Sequence, residues 1–131
     1  MFDHIGLRTA NLTAAVSFYE RLLEPLGLVR CFLDETTAGF GRTGSPAFWL
    51  HGSGASAGSG VHIAFQAADR RAVERFHAAG LLAGGRDNGP PGLRADYSPT
   101  YYAAFLIDPD GNNVEAVCHA AMASIDAEAP R

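Results

Sequence analysis

Apolar and polar positions follow two rhythms along the chain, and those rhythms recur in the same order in each half. Ile5 and Leu7 alternate with His4, Gly6 and Arg8, the period of a strand buried on one face. Leu12, Val16, Tyr19 and Leu23 then fall at helical spacing behind Asn11, a residue suited to capping a first turn, and Pro25 stops the helix. Strands are expected over 28–33, 38–42 and 47–51. The second half opens in the same way. Val61, Ile63 and Phe65 alternate with His62, Ala64 and Gln66, and Asp69 caps a helix that turns Ala72, Val73, Phe76 and Ala79 inward. Gly80 is its expected stop. A weak strand near 84–86 and strands over 101–107 and 113–118 follow.

His4 and His62 lie 58 residues apart, and at that offset Ala10 falls on Ala68, Asn11 on Asp69, Phe18 on Phe76 and Gly27 on Gly85. Each half therefore reads β-α-β-β-β. The predicted fold class is α+β: two tandem βαβββ modules forming a curved mixed sheet around a cleft. Four strands with one apolar face bury too little to stand alone, so the two modules make a single domain over 1–119. Module one covers about 1–52, and module two about 60–119. Gly52–Gly60 reads as a Gly/Ser/Ala linker, and Asp108-Pro109-Asp110-Gly111-Asn112 as a hairpin turn. The Gly- and Pro-rich stretch Asn88–Pro99 reads as a long loop placed to cover a site, and 120–131 as a polar tail.

Composition narrows the functional classes. The chain has 131 residues, 47% hydrophobic and 18% charged, enough apolar surface for a core. A net charge of −4 argues against nucleic acid as a partner. Every basic residue is arginine, which excludes Schiff-base chemistry and a P-loop lysine. Cys31 and Cys118 form no disulfide framework and read as small buried hydrophobes. No apolar run has the length of a membrane span, and Met1-Phe2-Asp3-His4 shows no targeting pattern; a cytoplasmic protein without a membrane partner is expected.

The candidate chemistry lies on strands. His4 and His62 occupy matching places in the repeat, opposite the apolar face. Glu115 sits among Val114, Ala116, Val117 and Cys118, where a carboxylate must be paired, protonated or bound to a cation. Two imidazoles and one carboxylate suit a divalent ion with open positions for substrate. The alternative is structural: strand histidines without a ligand role, and Glu115 paired with Arg8. Gly54-Ala55-Ser56-Ala57-Gly58 matches a nucleophile motif but lies in the linker rather than in a strand-to-helix elbow. The Asp108–Gly111 turn lacks the spacing of a calcium loop. His51 and His77 read as surface residues, Tyr102 as core, and His119 has no evident partner.

The segments DHIGL, SFYERLLEPLG, FWL, VHIAF and YYAAFLIDPDGNNVEAV, in that order, resemble the vicinal oxygen chelate superfamily of glyoxalases, bleomycin-resistance proteins and extradiol dioxygenases. The likeness runs from Met1 to about His119. It implies the paired-module fold of that group, with His4, His62 and Glu115 at the metal-ligand positions and Glu115 also catalytic. It further implies a divalent cofactor (Fe, Mn, Zn, Ni or Co), a small oxygen-chelating substrate, and a homodimer in which a histidine can cross between subunits.

The chain also departs from the family pattern. Trp49 stands where glyoxalase I-type isomerases carry a further glutamate, which weakens that specific activity. Phe105 stands where fosfomycin-resistance transferases and extradiol dioxygenases often place a tyrosine. Arg8, Trp49, Tyr101 and Phe105 are the expected substrate pocket. The resulting expectation is a metal-dependent lyase, isomerase or dioxygenase; the alternative is a bleomycin-resistance-like dimer that sequesters a small molecule.

Overall fold

The computed structural model describes residues 1–53 and 60–120. Module one comprises β1 (Ile5–Thr9), α1 (Leu12–Leu23), β2 (Val29–Leu33), β3 (Thr37–Arg42) and β4 (Ser45–Gly52). Module two comprises β5 (His62–Gln66), α2 (Arg70–Leu82), β6 (Arg86–Leu93), β7 (Tyr102–Ile107) and β8 (Asn113–Cys118). Each module forms its own four-stranded mixed sheet, ordered β1-β4-β3-β2 and β5-β8-β7-β6. In both sheets the first strand pairs in parallel with the last, and the other pairs are antiparallel.

Both helices start where the sequence predicts. The Asn11 side chain accepts from Ala14 N at 3.1 Å, and that of Asp69 accepts from Ala72 N at 2.8 Å. Pro25 lies in a short 3₁₀ turn after α1, closed by Gly27 at φ +81°. Gly80 does not stop α2, which runs on to Leu82. The glycine is there for packing: a Cβ on it would meet Leu106 Cδ1 at 2.2 Å.

The largest difference from expectation is β6. The residue pattern predicts only its start, and the stretch that reads as a loop forms a bulged strand through Asn88-Gly89-Pro90-Pro91. Its place at the sheet edge explains why two prolines, which donate no ladder hydrogen bond, are accommodated there. Residues 54–59 of the proposed linker and nearly all of the proposed tail lie outside the described residues. Among the described residues, no helix is long and apolar enough to cross a membrane. Cys118 is buried as expected, whereas Cys31 is partly exposed.

The two sheets share one core. α1 packs on α2, and Tyr19, Phe40 and Phe48 form an aromatic group that Phe65 of module two joins edge-on at 5.3 Å from Phe48. A polar joint sits beside it. The Tyr19 hydroxyl donates to Asp108 Oδ2 at 2.5 Å, and Asn112 Nδ2 donates to the same oxygen at 3.1 Å. Burial first, and the Asp108 charge second, push the Tyr19 hydroxyl pKa well up, so it remains a donor. Asp108 Oδ1 accepts the amides of Asp110 and Asn112, which gives the Asp-Pro-Asp-Gly-Asn turn a structural purpose. Asp110 in turn accepts from Ala10 N of module one at 3.1 Å.

Candidate functional site

With Ile63 and Phe65 turned toward the shared core, the opposite face of β5 carries His62 and Ala64. On the neighbouring strand the register sets His62 beside Asn113 and Ala64 beside Glu115. His62 Nε2 reaches diagonally to Glu115 Oε1 at 2.9 Å. The Tyr101 hydroxyl donates to the other oxygen, Oε2. Glu115 is 2% exposed, so its carboxylate is buried between these two groups, whereas the His62 side chain is 48% exposed.

These residues border a cavity of about 360 Å³ lined by His62, Tyr97, Tyr101, Phe105, Asn113 and Glu115. The His62 and Phe105 rings lie nearly parallel, with centroids 6.3 Å apart, and Tyr97 packs edge-on against Tyr101 at 4.9 Å. Desolvation first, then the bond to Glu115, raises the Tyr101 pKa to about 12; at neutral pH it is a hydroxyl that donates. Among the described residues, Asn113 Oδ1 is buried without a hydrogen-bond partner.

His62, Glu115, Tyr101 and Phe105 are thus brought together, and the remaining expected site residues lie elsewhere. His4 borders a different, larger groove of about 470 Å³ with Phe2, Phe48 and Ala64, and its Nδ1 lies 2.8 Å from Asp3. Trp49 is on the module-one sheet, stacked over Gly39 and 5.9 Å from Phe32. Arg8 pairs in register with His51 on that sheet, and Glu115 takes His62 and Tyr101 rather than Arg8 as its partners. Among the described residues no three His, Cys, Asp or Glu side chains gather closely enough to hold a metal ion.

Tyr97 and Asn113 were not anticipated. Asn113 carries a readable signal, since it opens β8 directly beside His62; Tyr97 sits in the stretch expected to cover a site, with nothing else to single it out. Two of the minor expectations change. His77 is 9% exposed and bonded to Asp87 Oδ1 at 2.8 Å rather than a surface residue, and His119 packs edge-on against Tyr101 at 5.2 Å. Tyr102 is half-buried: its hydroxyl donates to Glu74, and the Arg70 guanidinium lies over its ring.

Comparison with known proteins decides the family. Residues 1–116 match the model of the Glyoxalase/Bleomycin resistance protein/Dioxygenase superfamily. The chain belongs to this superfamily. A glyoxalase/bleomycin resistance protein from Albidiferax ferrireducens T118 is 30% identical with a TM-score of 0.79, covering 92% of this chain and 99% of that one. Two further superfamily structures share the fold at lower identity. The bleomycin resistance determinant encoded on transposon Tn5 is 18% identical with a TM-score of 0.63, over 88% of this chain and 95% of that one. A glyoxalase I mutant from Zea mays is 21% identical with a TM-score of 0.66, over 88% of this chain and 43% of that one. The search of curated proteins gives no match.

Proposed function

We propose that this superfamily member is a divalent-metal-dependent enzyme acting on a small substrate through two neighbouring oxygens, by lyase, isomerase or dioxygenase chemistry. One observation carries the reading: a buried carboxylate, Glu115, is held between an imidazole and a tyrosine hydroxyl beside an open aromatic cavity. A buried acid costs several kcal/mol unless paired, and this one faces the cavity rather than an arginine. His62 and Glu115 are donor types that Fe(II), Mn(II), Zn(II), Ni(II) and Co(II) all accept, so the residues fit such a cofactor. When bound, the metal supplies a Lewis acid that stabilises negative charge on the substrate oxygens.

The remaining work falls to the chain. Tyr101 holds Oε2 of Glu115 and thereby orients Oε1 toward His62, the role of a hydrogen bond behind a ligand. Glu115 is the carboxylate of the cavity and the group we assign to hold a proton during turnover. Tyr97 and Phe105 give the open cavity aromatic sides for a substrate to pack on, and Asn113 borders it beside His62.

The third ligand in this reading is His4 of a second copy. Within one chain the sheets share their core-facing sides and His4 borders a separate groove, so a site containing both histidines requires two molecules. Phe2, beside His4 in the groove, is exposed and available to a contact between copies. Metal analysis of purified protein tests the proposal. Stoichiometric or restorable metal, lost in both His4→Ala and Glu115→Ala, is the expected result. A protein that takes up no metal, and whose affinity for small aromatic ligands survives His62→Ala, is a sequestering dimer instead.

A further inference from the structure

We infer that Arg94 is an anion seat at the rim of this cavity, so that the substrate is a small planar carboxylate spanning from the His62–Glu115 pair to the Arg94 guanidinium. The inference rests on the cavity being the substrate site. Arg94 follows β6, and its guanidinium lies over the Phe105 ring, 5.3 Å from the centroid. Phe105 is also the ring beside His62, so one aromatic wall connects the cation to the proposed ligand pair.

The guanidinium is fixed in place. Nη1 donates to Gly92 O at 2.9 Å and Nη2 to Pro90 O at 2.8 Å. Both acceptors are neutral carbonyls, and each terminal nitrogen keeps a second N–H. Among the described residues, Arg94 has no carboxylate within ion-pair distance, whereas Arg30 is paired with Glu20 at 2.7 Å. The backbone leaves room for it: a Cβ on Gly89 or Gly92 would come within 3.2 Å of its terminal nitrogens. The Arg94 backbone also anchors the segment bearing both cavity tyrosines: its amide donates to Tyr101 O at 2.7 Å and its carbonyl accepts from Tyr97 N at 2.9 Å.

A half-buried, oriented and uncompensated guanidinium beside an aromatic wall is the arrangement that recognises a carboxylate by paired charge-assisted hydrogen bonds. Because its carbonyl partners already hold it, little ordering entropy is lost when the anion arrives. Arg8, the cation singled out by sequence, is exposed on the other sheet.

The test is a titration of the full-length protein with benzoate and with benzamide, which share shape and differ in charge, followed by NMR with and without added zinc. Benzoate is expected to bind about tenfold or more tightly than benzamide, with movement of the Arg94 side-chain N–H resonance. The preference should vanish in Arg94→Gln and persist in Arg8→Gln. Equal binding of the two probes, a preference that survives Arg94→Gln, or an Arg94 resonance unmoved by benzoate in the wild type overturns the inference. Zinc uptake measured on the same samples separates this result from the metal reading. Loss of zinc binding with an intact Arg94-dependent preference refutes only the metal; the reverse pattern refutes only the anion seat.

Discussion

The two modules place equivalent strands in equivalent register and fill one position with opposite chemistry. In module one His4 lies two residues before Gly6, which pairs with Trp49; in module two His62 lies two residues before Ala64, which pairs with Glu115. Trp49 lies flat over Gly39, where a Cβ would approach its ring to 2.6 Å. Glu115 faces a cavity and is held by His62 and Tyr101. Duplication thus preserves the backbone while chemistry diverges. The proposed site draws its carboxylate, its orienting hydroxyl and its aromatic wall from module two, and takes one imidazole from module one.

The modules also hold their helices differently. Glu20 on α1 is tied to Arg30 on β2, while His77 on α2 is tied to Asp87 on β6; the acid is on the helix in one module and on the edge strand in the other. Tyr19 occupies the place in α1 that His77 occupies in α2, yet it reaches across to Asp108 of the other module.

Substitutions at the equivalent positions break this comparison most sharply. Glu115→Ala is expected to weaken zinc binding by more than about 100-fold, measured by competition with a chelator, whereas Trp49→Phe should leave it unchanged. Tyr101→Phe removes only the orienting bond and should cost about 10- to 100-fold in the same assay. At the joint between modules, Tyr19→Phe leaves Asp108 short of a buried donor and should cost about 1–3 kcal/mol in urea unfolding.

The smallest effect concerns the α2–β6 tie. The bond from His77, followed by that from the Gly89 amide, holds the Asp87 carboxyl below its ordinary value. A depressed carboxylate stabilises the fold at pH above its unfolded pKa of about 3.9, and that contribution is lost as pH falls through the lower folded value. Asp87→Asn should therefore lower the Tm slightly at neutral pH, and the difference from wild type should shrink to nothing in strong acid. A difference that grows in acid would contradict the assignment.

Much of this organisation was legible in the residues. The two caps, the hairpin turn and the last strand fall where period and turn chemistry put them, because each rests on local preferences. The pairing of His62 with Glu115 was legible in part, since strand alternation fixes which face each occupies. What escaped has a common physical cause: strand β6 is an edge whose prolines and glycines read as loop, and its pairing with β7 is a long-range fact. Arg94, Tyr97 and the Tyr101–Glu115 bond depend on how that edge folds back, which no short window of sequence encodes. Arg8 and Trp49 share the module-one sheet, whereas His62, Phe105 and Glu115 stand on the module-two sheet, a separation within one chain that strand alternation alone does not reveal.

Complementation between two defective chains tests the central claim, that each site is built from module two of one copy and His4 of another. His4→Ala and His62→Ala homodimers are each expected to bind no zinc. Unfolded together and refolded, they form heterodimers in which one site has lost both histidines and the other retains His4, His62 and Glu115. The account predicts that the mixture recovers zinc binding at a single site per heterodimer. Heterodimers that form and still bind no zinc would contradict it.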